Sequence, residues 1–252
     1  MTTAPIALIT GGNRGIGRST AIELARDGVD VVLTYRTNEE EARAVVGEIQ
    51  ALGATGRALR LDTSVVPSFG AFADELRGTL DDLGRDGVDL LVNNAGTGLA
   101  RPFAETTPEQ FDEMVDVHLK GVYFLTQRLL GVLSDGAMIV NVSSGLTRFS
   151  HAGSSAYAVV KGGVEVLSRY LALELGGRGI TVNTVAPGAV ATDFRGGAIR
   201  DSAQVREMIA AASPFGRVAE ADDVGTAIAG LFASRSRWIT GQRIEVSGGM
   251  AL

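Results

Sequence analysis

The sequence contains no cysteine, which removes disulfides, thiolate nucleophiles and every cysteine-based metal site from consideration. It has only two histidines, His118 and His151, too few for an imidazole cluster around a metal. Lysine is as scarce: Lys120 and Lys161 are the full complement, and the other basic side chains are arginine. No apolar run approaches the ~18 residues that a bilayer span requires. The opening Met1-Thr2-Thr3-Ala4-Pro5 has no basic region and leads into Ile6-Ala7-Leu8-Ile9, too short a run for a secretory signal. No basic block occurs and the net charge is −6, so a sequence-independent grip on nucleic acid is not expected. These absences point to a cytoplasmic protein with no metal, membrane or nucleic-acid partner.

What is present supports a substantial core. Of 252 residues, 45% are hydrophobic and 21% charged, a balance that excludes disorder and suits one large domain. The 33 glycines are about twice the usual ~7% share and ask for tight turns or close backbone approaches. Short apolar runs read as buried parallel strands at Ile6–Thr10, Asp30–Tyr35, Ala58–Leu61, Val88–Asn93, Ala137–Val142, Thr181–Ala186 and Arg243–Val246. Between them lie helical stripes such as Ile16/Thr20/Leu24, Phe111/Met114/Val115 with Leu119/Val122, and Val164/Leu167/Leu171/Leu175. Unbroken β-α alternation predicts an α/β fold, a seven-stranded parallel sheet with helices on both faces. No linker, repeat or low-complexity tract divides the chain, so residues 1–252 read as one domain. The stretch from Gly188 to Glu220 breaks the rhythm with Gly196-Gly197 and Pro214, and so long an excursion reads as a substrate lid.

Four sets of residues carry chemistry. Thr10-Gly11-Gly12-Asn13-Arg14-Gly15-Ile16-Gly17 follows the first strand and opens the first helix. Glycines there let a pyrophosphate approach a helix N-terminus, where free N–H groups favour anions. The second strand ends in Tyr35-Arg36, with no acid before Glu39. An acid at that point would select a ribose 2′-hydroxyl, whereas a cation suits the 2′-phosphate. Arg14 and Arg36 together therefore predict NADP rather than NAD. Asp62-Thr63 and Asn93-Asn94-Ala95-Gly96 follow the third and fourth strands, whose carboxyl ends line the ligand crevice of a doubly wound sheet. Asp62 suits an adenine amine, while Asn93 and Gly96 would pack backbone against the cofactor. Finally, Ser143-Ser144 follows the fifth strand and Tyr157-Ala158-Val159-Val160-Lys161 opens the next long helix. Spacing i, i+4 puts phenol and ammonium on one face. A cation within several ångströms favours phenolate and lowers the phenol pKa, and a serine hydroxyl beside it can orient a substrate carbonyl. An isolated YxxxK is more often a surface pair, but Lys161 is one of only two lysines.

In this order and spacing the motifs resemble the short-chain dehydrogenase/reductase family over essentially the whole chain. The matching residues are Thr10–Gly17, Asn93–Gly96, Ser144 thirteen residues before Tyr157, the YxxxK pair, Pro187-Gly188 with Thr192, and Ile239-Thr240-Gly241-Gln242 with Val246-Ser247-Gly248-Gly249. The resemblance implies a single Rossmann-type doubly wound domain binding NADP(H). Tyr157 would be the catalytic acid/base, Lys161 would tune it and hold the nicotinamide ribose, and Ser144 would position the carbonyl. Cofactor contacts would fall on Gly11, Asn13, Arg14, Gly15, Ile16 and Gly17. They would continue through Tyr35, Arg36, Asp62, Thr63, Asn93, Ala95 and Gly96 to Tyr157, Lys161, Pro187, Gly188, Val190 and Thr192. One departure stands out: the family's usual helix asparagine, which holds a relay water, is replaced by His118 in Val117-His118-Leu119-Lys120-Gly121. Imidazole can donate and accept, so His118 is expected to serve the relay.

The implied reaction is reversible hydride transfer between NADPH and a ketone. A small or secondary-metabolic ketone ranks ahead of a 3-oxoacyl carrier-protein thioester. Arg178 matches one carrier-docking cation, but Leu133-Ser134-Asp135-Gly136, read as the end of a helix, lacks a second basic patch, and an acidic carrier suits an acidic protein poorly. A non-catalytic NADP-binding sensor and a sugar-nucleotide epimerase rank lower, the first because Ser144, Tyr157 and Lys161 are all retained. The loops Thr97–Pro102 and Gly145–Ser155 would border substrate. His151, in the second loop, reads as solvated, and Lys120 as a surface residue. By the same resemblance, a homotetramer is expected.

Overall fold

A computed structural model describes residues 4–234 and 236–252. Met1–Thr3, on which the reading of the N-terminus partly rests, lie outside the described residues. Strands and helices alternate: β1 (Ile6–Ile9), α1 (Gly15–Arg26), β2 (Asp30–Tyr35), α2 (Glu39–Ala51), β3 (Gly56–Arg60), α3 (Phe69–Asp82) and β4 (Val88–Asn93). There follow α4 (Pro108–Val115), α5 (Gly121–Leu129), β5 (Leu133–Val142), α6 (Ser155–Leu175) and β6 (Thr181–Pro187). The chain ends with α7 (Ala198–Asp201), α8 (Ala203–Ala211), α9 (Ala221–Ala233) and β7 (Arg243–Val246). The strands form one parallel sheet in the order β3-β2-β1-β4-β5-β6-β7. The order reverses between β1 and β4, so a crevice opens at the carboxyl ends of those two strands.

Alternate side chains of each strand feed two cores, one on each face. Ala7 and Ile9 pack with Val31, Leu33, Leu24 and Ile228, while Ile6 and Leu8 pack with Val32, Phe72, Leu76 and Leu125. The strand residues are buried on both sides, which is why they read as continuous apolar runs without alternation. Each such Leu, Ile or Phe contributes roughly 1.5–3 kcal/mol by leaving water. Helix starts follow local chemistry. Asn38 accepts from the Glu41 amide at the start of α2, and Thr107 and Gln110 form a reciprocal capping box on α4 behind Pro108. No helix among the described residues is long and apolar enough to cross a membrane.

Three departures from the sequence reading bear on the site. Leu133–Gly136 is the start of β5, not the end of a helix. Val88 pairs with Leu133 but Leu90 pairs with Met138, and Gly136, at φ +75°, turns the extra residues out of the ladder. Phe111 is exposed, and Met114 carries the buried face of α4. Between α4 and α5 the helix widens into a π-helical turn over Asp116–Lys120, centred on His118. The excursion after β6 holds α7 and α8 and is tied at its base by a bridge between Val190 and Ala219.

Candidate active site

The Gly-rich turn is built by exclusion. A Cβ at Gly12 would lie 2.6 Å from the Leu33 Cβ, and one at Gly17 would lie 2.5 Å from the Asn94 amide nitrogen. Gly11 and Gly15 adopt positive φ. Asn94 donates to the carbonyls of Thr10 and Gly11, both at 3.0 Å, and the Thr10 hydroxyl accepts from the amides of Asn94 and Ala95. The end of β4 thereby holds the turn in shape. At the start of α1, Arg14 makes no side-chain cap and the first turn holds no acid. The N–H groups of that end are left facing the crevice, a donor set that fits a pyrophosphate. Thr192, on the far wall, comes within van der Waals reach of a Cβ placed on Gly15.

At the outer end of the crevice Arg14 and Arg36 are both exposed. Arg60, on the neighbouring strand and in register with Tyr35, adds a third cation and donates to the Arg36 carbonyl. Asp62 is raised by partial burial, but the hydroxyl and amide of Ser64 and the charges of Arg36 and Arg60 outweigh this and hold its carboxyl below the ordinary range. It is therefore an acceptor at the outer end of the crevice. Asn13 donates to Glu41 at 2.8 Å, which ties the turn to α2. The side chain of Asn93 is spent inside the sheet, donating to Thr126 and Asn141, so only its backbone can face a ligand.

The second half of the crevice gathers the chemical groups. Ser144 caps a 3-10 turn over Gly145–Thr147, and Leu146 of that turn packs against the cluster of Met114, Ala156, Tyr157 and Val160. The Ser144 hydroxyl accepts from the Leu146 amide at 3.2 Å, leaving its own proton to donate. Tyr157 and Lys161 sit one turn apart on α6, both buried, with the ammonium 5.7 Å from the centre of the phenol ring. Lys161 donates to the Val142 carbonyl at 2.7 Å and forms no ion pair among the described residues. His118, fully buried, meets the Tyr157 ring edge-on at 5.2 Å. Gly96 makes this possible, since a Cβ there would lie 2.5 Å from the imidazole.

Burial sets the electrostatics. It pushes the Tyr157 phenol up, and the charge that opposes it is that of Arg195. The expectation that Lys161 draws the phenol down thus meets a larger opposing effect, the burial of the phenol itself; Lys161 is likewise pushed down to about 8 by its own burial. His118 is pushed down to about 3, first by burial and then by Lys161, against a bond to Thr97. It is neutral at any working pH. Its Nε2 lies 2.7 Å from the Thr97 carbonyl and 3.3 Å from the Thr97 amide nitrogen; the shorter contact favours a proton on Nε2, the tautomer in which the buried, unpartnered Nδ1 is an acceptor.

Several participants carry no sequence motif. Arg195 lies over the Tyr157 ring at 5.6 Å. Glu165 accepts from Ser143, Thr147 and Arg243, and Arg243 also donates to the Ser144 carbonyl, bracing the serine loop from behind. Of the remaining residues singled out, Lys120 pairs with Asp116 on the surface, and His151 is exposed. Arg178 donates to Asp135 and to the carbonyls of Leu130 and Leu133. Among the described residues no group of His, Asp or Glu is placed to hold a metal.

The family model described as enoyl-(acyl carrier protein) reductase matches residues 11–251. The chain is 34% identical to the 3-oxoacyl-[acyl-carrier-protein] reductase FabG of Staphylococcus aureus over 97% of both chains. Among solved structures, the promiscuous reductase LugOII, which catalyses keto-reduction at C1 during lugdunomycin biosynthesis, superposes with a TM-score of 0.93 at 39% identity over 99% of both chains. The angucycline C-6 ketoreductase LanV with bound NADP superposes with a TM-score of 0.91 at 38% identity, over 97% of this chain and 95% of its own. The parallel sheet with its reversed strand order, the glycine-built turn and full-length matches of this kind lead to one conclusion: the chain belongs to the short-chain dehydrogenase/reductase family of oxidoreductases.

Proposed function

We propose that this protein is an NADP-dependent carbonyl reductase that converts a small or secondary-metabolic ketone to a secondary alcohol. The observation that carries the reading is Lys161: a buried ammonium with no counter-ion among the described residues, one helical turn from a buried tyrosine. Keeping such a charge in the interior is costly and has no structural return here beyond one bond to Val142. A bound reduced nicotinamide would supply the hydride. The chain supplies the rest. Ser144 donates to the carbonyl oxygen, Tyr157 gives that oxygen its proton, and Lys161 stabilises the phenolate left behind. His118 offers Nδ1 to a water that returns the proton. The turn Gly11–Gly17 takes the pyrophosphate, Asp62 and Thr63 the adenine side, and Arg14 and Arg36, with Arg60, the 2′-phosphate. Ala95, Gly96 and the segment Pro187–Thr192 line the nicotinamide side, under a lid at about 188–220.

The kinship to LugOII and LanV favours a polycyclic ketone. A 3-oxoacyl carrier-protein thioester is the second reading, supported by the kinship to FabG. Against it, Arg178 is engaged by Asp135 and two carbonyls and is poorly free to dock a carrier. We further infer a cytoplasmic homotetramer. The exposed apolar side chains Tyr123 and Phe124 on α5 and Val166, Tyr170 and Leu173 on α6 offer a contact face, and light scattering that finds a monomer would remove this assembly. The reading as a whole is tested by following oxidation of NADPH, and separately NADH, with a β-ketoester, a cyclic diketone, a quinone, a ketosugar and an acyl thioester. Turnover of a ketone with NADPH preferred is expected. Tight NADPH binding with no turnover across the panel would instead favour a non-catalytic sensor.

A further inference from the structure

The lid places an arginine where its backbone is least comfortable. Arg195 has φ +54° and ψ +39°, followed by Gly196 and Gly197 at φ +69° and +78°. A left-handed conformation suits glycine and is strained for arginine. The strained turn carries the guanidinium onto the catalytic tyrosine. Its carbon lies 5.6 Å from the Tyr157 ring centre and 5.9 Å from that of Phe194, and the two rings are 5.6 Å apart. Arg195 donates to the Leu99 carbonyl at 2.7 Å and reaches Ser154 Oγ at 3.4 Å, so it spans the two loops that border the substrate side. Gly98 leaves the room: a Cβ there would collide with the Arg195 side chain and come within 2.8 Å of the Phe194 ring.

Its charge is left unanswered. No carboxylate among the described residues pairs with Arg195, unlike Arg200 and Arg217 in the same excursion, which pair with aspartates. Its Nε is buried without a partner. A half-buried cation with no counter-charge is costly until an anion arrives. The rings of Tyr157 and Phe194 lie beside it and give this side of the site an aromatic wall.

Resting on the reading of Ser144, Tyr157 and Lys161 as a carbonyl-reducing site, we propose that Arg195 is a specificity-determining residue that binds an anionic oxygen, an enolate or phenolate, carried by the substrate close to its reacting carbonyl. The substrates so selected are acidic, oxygen-rich aromatic ketones rather than plain ones. The guanidinium answers the oxygen's charge, and the aromatic wall holds the ring.

The test is a matched pair of probes titrated by calorimetry into the NADP⁺-loaded enzyme at neutral pH: 2-hydroxy-1,4-naphthoquinone, which is ionised there, and 1,4-naphthoquinone. The wild type should bind the anion about tenfold or more tighter than the neutral quinone. Arg195→Leu should abolish that preference by weakening the anion far more than the neutral quinone, and Arg195→Lys should keep part of it. Equal affinity of the wild type for both probes, no binding of either, or an equal loss of both in Arg195→Leu overturns the proposal. The reductase reading fails separately, if the preference is present but no ketone is turned over.

Discussion

Replacing His118 with asparagine should flatten the acid limb of this protein's stability. In an unfolded chain imidazole takes its proton near 6.5, whereas burial and the neighbouring Lys161 hold the folded His118 at about 3. Between those values the unfolded state binds one proton more than the folded state, so stability falls as pH drops below 6.5 and is complete above it. The slope is about 1.4 kcal/mol per pH unit, so lowering the pH from 7 to about 5 should cost roughly 2 kcal/mol through this one residue. His118→Asn removes that contribution. It also loses the edge-on contact with Tyr157, at about 0.5–1.5 kcal/mol, but this loss is the same at every pH. Urea unfolding of both proteins at the two pH values isolates the proton-linked part, since all other titrating groups are common to both. Parallel losses would refute the picture of a neutral, sealed imidazole. Turnover by His118→Asn should stay within about tenfold of the wild type, because asparagine also offers an acceptor. A loss as deep as that of Tyr157→Phe would sink the idea that His118 serves the proton relay.

Two further outcomes follow from geometry already described. Arg36→Ala should raise the KM for NADPH about tenfold or more while leaving NADH little changed; steady-state kinetics with both cofactors decide it, and an equal effect on both would reassign Arg36 to the surface. Gly225 on α9 sits so close to α1 that a Cβ would lie 2.7 Å from the Ser19 backbone. Gly225→Ala should therefore cost about 1–3 kcal/mol by overpacking and lower Tm by several degrees, and an unchanged melting curve would show that the two helices part freely.

The β-α alternation was legible because parallel strands covered on both faces read as bare apolar runs, and Leu8, Leu33 and Leu91 are such residues. The Gly-rich turn and the Tyr157/Lys161 pair were legible because their chemistry is local: positive φ in one case, one helical turn in the other. What stayed hidden depends on distant chain. The early start of β5 rests on Val88 and Leu90 choosing partners that skip several residues, which no window around Leu133 contains. Arg195 gains its place only when the lid folds into the space left by Gly98. The brace behind Ser144 joins Glu165 to Arg243, 78 residues away. The protonation of His118 likewise follows from burial, which its neighbours in sequence do not announce.

The amide of Asn93 illustrates a different kind of information. It stands in register with Asn141 on the adjacent strand and donates to it at 2.8 Å, and Asn141 passes its own amide proton to Ser168 on α6 at the same distance. The residues alongside are Leu90, Leu91 and Val92 facing Met138, Ile139 and Val140, apolar pairs that would pack almost as well one step out of place. A one-residue slip turns every side chain to the opposite face and would strand two buried amides in hydrocarbon, at roughly 1–3 kcal/mol each. The three polar groups therefore act as a key cut into an otherwise featureless zipper. They give the folding chain one alignment of β4 and β5 to prefer, and with it fix how far Gly96 and Ser144 project into the crevice.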